Sequence, residues 1–263
     1  MNFSGIAPDV RAALHRRSGR AAGFLALVGI ILWWACNFEA SHVPLWAPWD
    51  FSLLWYGAYA FAGWSYVRGL KACPQPVWRM ALFVLGMAAI WTVLQTHFEY
   101  AAEHMFFLNR IQHVVMHHLG PFLIALAWPW ATLYRGMPAW GRRIFDHRWL
   151  ARAMRWAQQP EIACVLFVGL IALWLYPPVH FVAMINPWLY QLMNWSMVVD
   201  GLLFWCVVLD PRPREQAHNS FAARAMMGIA VMFPQIAIGA IIAFADHDVY
   251  GFYAWCEIGR AHV

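Results

Sequence analysis

Long apolar runs alternate with short polar breaks along the chain. Seven runs are long enough for a helix to cross a bilayer, which takes about 20 mostly apolar residues. They cover roughly 19–37, 50–70, 79–97, 106–133, 161–179, 188–209 and 224–245. Turn-forming prolines fall between them: Pro44 and Pro48, Pro74 and Pro76, Pro138, Pro177 and Pro178, Pro211 and Pro213. The pattern predicts an all-α, polytopic membrane bundle of about seven transmembrane helices, one integral membrane domain over residues 1–263. The first run follows Arg11, Arg16, Arg17 and Arg20, as in a signal peptide. It lacks a small-residue cleavage site and ends in Trp33–Trp34, which predicts an uncleaved helix.

Composition agrees. Hydrophobic residues make up 62% and charged residues 12%, with mean hydropathy +0.51. Soluble domains carry about 25% charged residues, so a soluble globular or disordered chain is excluded. The net charge of +5 does not point to nucleic acid, because the arginines sit between apolar runs rather than in one basic stripe. Five scattered cysteines form no CxxC pair, which excludes a zinc ribbon or thioredoxin site.

The basic residues set an orientation. With the N-terminus cytoplasmic, the inner segments hold Arg11–Arg20, then Arg68, Lys71 and Arg79, then Arg135–Arg155, then Arg212, Arg214 and Arg224. That is sixteen of the 18 Lys and Arg, leaving only Arg110 and Arg260 outside. Seven spans then put the C-terminus outside. Histidines show the opposite bias. His15, His147 and His218 are inner, while the other nine of the 12 lie in outer loops or on helices that begin or end there.

The chemistry concentrates in HFEYAAEHMFFLNRIQHVVMHHLGP, residues 97–121, which holds five histidines. His113 and His117 are four apart, so a helix presents both on one face. This is the spacing of the two imidazoles in HExxH metal sites, but Val114 stands where the catalytic Glu would be. At 1.5 Å per residue from position 106, both sit in the outer half of the membrane. Ionisable groups at that depth face the bundle interior and mark a functional path. His97 and His104, seven apart, also share a helical face. Met116, adjacent to His117, leaves the helix at another angle. His118 points elsewhere, to orient its neighbours or serve a second site. Imidazole suits copper, zinc, iron and nickel, while thioether selects Cu(I). With Met105 and Met116 here and Met184 and Met193 near outer helix ends, the ligand set favours copper. The expected metal residues are therefore His113, His117, Met116, His104 and His97. His180, in YPPVHFVAMINPW, and Asp246 and His247, in FADHDVYGFY, are expected at an outer opening for the cation.

At this point the chain resembles the CtaG-type cytochrome c oxidase assembly factors. The resemblance rests on Gln112–His113 with Pro121 eight residues beyond His113, on Arg142–Arg143, on GLLFWCVVLDPRP (201–213) and on FADHDVYGFY (244–253). Many members carry a histidine four residues before the QH histidine, where this chain has Asn109, and a His and a Glu–His pair in the sixth span, where it reads LYQLMNWSMVVDG. The family usually continues into another apolar span. The resemblance implies a non-enzymatic protein of the bacterial inner membrane that builds haem–copper oxidase. It would take copper on the periplasmic side, from a periplasmic copper chaperone, and pass it to oxidase subunits in the bilayer. Two alternatives stay open at the level of the residues: a membrane cytochrome holding haem through histidines on facing helices, and a metal-free chaperone of another membrane subunit.

Overall fold

The computed structural model describes residues 8–39, 42–48, 51–213, 217 and 219–255. Among them all regular structure is helical, with no strand. Long helices are α1 (Pro8–Phe38), α2 (Leu53–Leu70), α3 (Val77–Leu94), α10 (Pro160–Leu175), α12 (Pro187–Val208) and α13 (Phe221–Ala243). Between α3 and α10 the chain is broken into shorter pieces: α4 (His97–His104), α5 (Phe106–Val114), a π-helical turn (Val115–Leu119), α6 (Gly120–Ala127), α7 (Trp130–Gly136), α8 (Ala139–Phe145) and α9 (Arg148–Ala157). A short α11 (Pro177–Ile185) links α10 to α12, and a 3-10 turn (Gly251–Trp255) follows α13.

Four helices are long and apolar enough to cross a membrane: Ala21–Phe38 within α1, α3, α12 and α13. The number rises to six if two bent pairs each count as one span, namely α5–α6 with α7, bent by 77°, and α9 with α10, bent by 81°. The expected seven are thus four to six by this measure. The run over 50–70 is helical as α2, but Trp55, Tyr56, Tyr59, Trp64 and Tyr66 dilute its aliphatic content. The run over 106–133 is not one rod. It breaks at Trp128, which adopts a left-handed backbone (φ 50°, ψ 58°), and at Pro129, which has no N–H to continue the helix. The run over 161–179 stops at Leu175, because Pro177 and Pro178 occupy the first turn of a new helix.

Close backbone contact holds the bundle where lipid supplies no hydrophobic drive between helices. α2 crosses α7 at Gly69 and Gly136. A Cβ at Gly136 would stand 1.7 Å from the Ser65 carbonyl oxygen, and one at Gly69 would stand 1.8 Å from that of Thr132. The main core gathers Trp55, Tyr66, Phe83, Leu94, Met116, Tyr190 and Met193 around α5–α6 and α12. A second, around Phe167, Phe204 and Met227, joins α10, α12 and α13. The histidine-bearing turn lies between these two cores.

Candidate functional site: a histidine cleft at a π-turn

Pro121 explains the turn. It supplies no N–H to the carbonyl of His117, four residues earlier, and its ring crowds that oxygen. The helix responds by widening: the N–H of Gly120 reaches back five residues to the carbonyl of Val115. α12 closes against the widened turn at Gly201, where a Cβ would stand 2.3 Å from the His117 carbonyl oxygen and 3.0 Å from Pro121.

This arrangement brings His113, His117 and His118 onto one cleft of about 460 Å³. Its walls come from α5 (Phe106, Arg110, Val114), α10 (Ile171, Leu175), α12 (Met197) and α13 (Gln235, Ile238, Ile242). His117 is fully buried, with its ring stacked on Phe167 at 4.1 Å between centroids. Its Nε2 lies 3.0 Å from Oδ2 of Asp200 on α12. With Asp200 ionised, its carboxylate only accepts, so Nε2 carries the proton and Nδ1 keeps its lone pair. His118 is fixed in the same sense. Its Nε2 lies 2.9 Å from Oε1 of Gln235 on α13, and the Gln235 amide N–H donates to the Val231 carbonyl at 3.0 Å. That second bond sets which end of the amide faces His118, so His118 Nε2 is the donor and Nδ1 the free base. His117 Nδ1, His118 Nδ1 and His113 Nε2 are all buried nitrogens with no hydrogen-bond partner. Imidazoles pinned through one nitrogen and open at the other are how metal-ligating histidines are usually held. No group of three His, Cys, Asp or Glu close enough to hold a metal occurs among the described residues.

Arg110 shares the cleft. It donates to Asn109 and lies over the Phe106 ring at 5.1 Å. Beneath it, the Gln112 amide donates to the Val93 carbonyl at 2.9 Å and its Oε1 accepts from the Tyr190 hydroxyl at 3.2 Å, tying α5 to α3 and α12.

The other expected residues lie elsewhere. Met116 is fully buried in the main core and does not line the cleft; the methionine that does is Met197. His97 and His104 are on α4, outside the cleft, with Nδ1 at 3.3 Å from the Leu45 carbonyl and 2.7 Å from the Tyr100 carbonyl. His180 is fully buried on α11, with Nδ1 2.9 Å from the Trp174 carbonyl and Nε2 2.8 Å from the Tyr253 hydroxyl. Burial, with the charge of Arg110, pushes the pKa of this histidine down to about 4. Asp246 and His247 are exposed on the loop after α13. His218, His262, Glu257 and Arg260 lie outside the described residues.

The DPRP motif has a structural role. Burial raises the Asp210 carboxyl, but Arg212, which donates to both oxygens at 2.7–3.1 Å, more than offsets this and holds it below its ordinary range. Arg224 at the start of α13 donates to the Asp210 carbonyl. The motif thus joins the end of α12 to α13 and sets the wall that carries Gln235.

Asp200 and Gln235 were not among the residues expected from sequence. The signal was present: an acid at position 200 and an amide at 235 each interrupt an apolar run, and polar groups at membrane depth require partners. A family model described as cytochrome c oxidase caa3 assembly factor matches residues 57–261 of the chain. No curated protein and no solved structure matches it.

Proposed function

The chain belongs to the cytochrome c oxidase caa3 assembly factor family, and from that premise we propose that it carries copper to an oxidase subunit within the membrane and catalyses no reaction of its own. One observation carries the reading: His113, His117 and His118 line a single cleft, and each has a buried ring nitrogen without a protein partner. An ionised Asp200 and Gln235 hold two of the rings in the tautomer that leaves a lone pair free, so these imidazoles need lose no proton to bind. Met197 on α12 also lines the cleft and brings a thioether to its residue set.

Arg110 favours a monovalent cargo. A guanidinium in the same low-dielectric cleft repels a dication about twice as strongly as a monocation at equal distance. Soft, singly charged Cu(I), which accepts two or three nitrogen and sulfur ligands, suits this set better than Zn(II). Copper is the cargo here, taken on the outer side from a periplasmic donor and lost by ligand exchange to a docked oxidase subunit. His97 and His104 on α4, and Asp246 and His247 beyond α13, are candidates for the approach to the cleft rather than for its ligand set.

The test is metal analysis of purified protein. Wild type should retain copper in preference to zinc, and His113→Ala combined with His117→Ala should remove most of it at an unchanged protein level. Full retention in the double variant would overturn the assignment and leave a metal-free chaperone role as the better account.

A further inference from the structure

The opposite end of the molecule carries a second feature that copper handling does not use. α9 meets α10 at 81°. With α10 across the bilayer, α9 lies along the surface that the Lys and Arg distribution assigns to the cytoplasm. Arg148, Arg152 and Arg155 recur at four- and three-residue steps and so share a face of α9. Trp149 and Trp156, seven apart, are 70% and 55% exposed. A short helix with arginine on one side and exposed indole beside it has the make-up of an interfacial helix.

The arginines converge as well as cluster. Between α8 and α9 lies a cleft of about 520 Å³ lined by Arg143, Asp146, His147, Arg148, Trp149 and Arg152. Asp146 is its one carboxylate, and the Tyr134 hydroxyl already lies 2.8 and 2.9 Å from its two oxygens. The ion pairs among the described residues join His42 to Glu39, His117 to Asp200 and Arg212 to Asp210, and none uses Arg143, Arg148 or Arg152. Arg152 lies over the Trp149 ring at 5.2 Å, which fixes its guanidinium at the depth of the indole. The exclusion of basic residues from the outer face accounts for arginines in this loop, but not for three guanidiniums outside any ion pair around one cleft that holds a single carboxylate at an aromatic rim.

We propose that the α8–α9 elbow binds the headgroup of an anionic phospholipid, with the phosphate between Arg143, Arg148 and Arg152 and the acyl chains beside Trp149. An occupied cleft would anchor the elbow and hold the tilt of α10, one wall of the histidine cleft. The inference is independent of the copper reading.

The test uses the purified full chain in neutral detergent, with bound lipid counted by native mass spectrometry during titration with phosphatidylglycerol or phosphatidylcholine. Wild type should prefer phosphatidylglycerol. Each arginine near an anionic surface is worth about fivefold in affinity, so the variant Arg148→Gln/Arg152→Gln should bind it about thirtyfold more weakly. Arg148→Lys/Arg152→Lys keeps the charge and should keep most of the preference, which separates lost charge from lost fold. A control removing two arginines elsewhere, Arg68→Gln/Arg135→Gln, should bind like wild type. Equal loss in that control, or unchanged binding in the Arg148→Gln/Arg152→Gln variant, would overturn the proposal. Displacement of the lipid by an equal concentration of inorganic phosphate would also overturn it, as it would mark a free-anion site.

Discussion

Gly201 on α12 packs directly on the carbonyl of His117, and a Cβ there would stand 2.3 Å from that oxygen. The contact depends on two local irregularities. Pro121 denies the His117 carbonyl its helical partner, and glycine lets a neighbouring backbone fill the space beside it. The same approach delivers Asp200, one residue earlier, to the His117 ring. Helix packing and ligand orientation are therefore one constraint in this bundle.

Gly201→Ala should lower stability by about 1–3 kcal/mol, the usual penalty for forcing atoms into a packed site, since His117 backbone and Pro121 both stand in the way. Gly169→Ala, on α10 with open space where its Cβ would go, should be neutral or slightly stabilising. Thermal unfolding in detergent compares them. Equal melting temperatures for the two variants would show that α12 shifts freely and that the contact does not constrain the site.

Asp200→Asn should weaken copper binding about ten- to a hundredfold, the range found when the partner of a metal-ligating histidine is changed. Asparagine is nearly isosteric, but it can offer His117 Nε2 a donor as well as an acceptor, so the tautomer with Nδ1 free is no longer enforced. A competition titration against a copper chelator measures the change, and circular dichroism checks that the helices persist. Wild-type affinity in a folded variant would mean that the His117–Asp200 pair at 3.0 Å serves packing alone.

Much of this was legible in the sequence because apolar periodicity and basic-residue counts are local properties. The helices at 188–209 and 224–245 match α12 and α13 closely, and the His113–His117 pair does share a cleft. The bent elements were harder to read. Residues 106–133 form one apolar run, and only Trp128 in a left-handed conformation before Pro129 divides it. The partners of the histidines were invisible for a different reason. Asp200 and Gln235 are 83 and 117 residues from their rings, and spacing along one helix says nothing about what a facing helix supplies. Met116 illustrates the same limit, since sequence neighbourhood to His117 places it in the core and Met197 at the cleft.

His118→Ala should reduce copper retention, whereas His97→Ala and His104→Ala should leave equilibrium affinity within about twofold, the scatter expected for changes away from the site. His118 lines the cleft with Nδ1 unpaired, while the two α4 histidines lie outside it against the Leu45 and Tyr100 carbonyls. If α4 forms the approach, those two variants should slow loading without changing its end point. Stopped-flow uptake and equilibrium titration of the same samples separate the two effects. A loss of affinity in His104→Ala comparable to that in His118→Ala would return α4 to the ligand set.

The last expectation concerns pH and His180, which lies on α11 outside the four to six spans. Its Nδ1 faces the Trp174 carbonyl, an acceptor, so Nδ1 carries the proton and Nε2 takes one from the Tyr253 hydroxyl. A second proton on Nε2 would place a positive charge in a poorly hydrated cage formed with Phe106, Tyr250 and Phe252, within reach of the Arg110 charge. The folded pKa is accordingly about 4, against 6.5 for the free side chain. Between those values the unfolded chain binds a proton that the folded one refuses, so stability falls as pH drops from 6.5 towards 4 and is flat in this respect above 6.5. His180→Gln keeps a donor and an acceptor without titrating. Its stability should be lower than wild type near neutrality but should decline less steeply over that window. Unfolding midpoints of both proteins across the pH series decide it, and parallel declines would show that other groups carry the acid sensitivity.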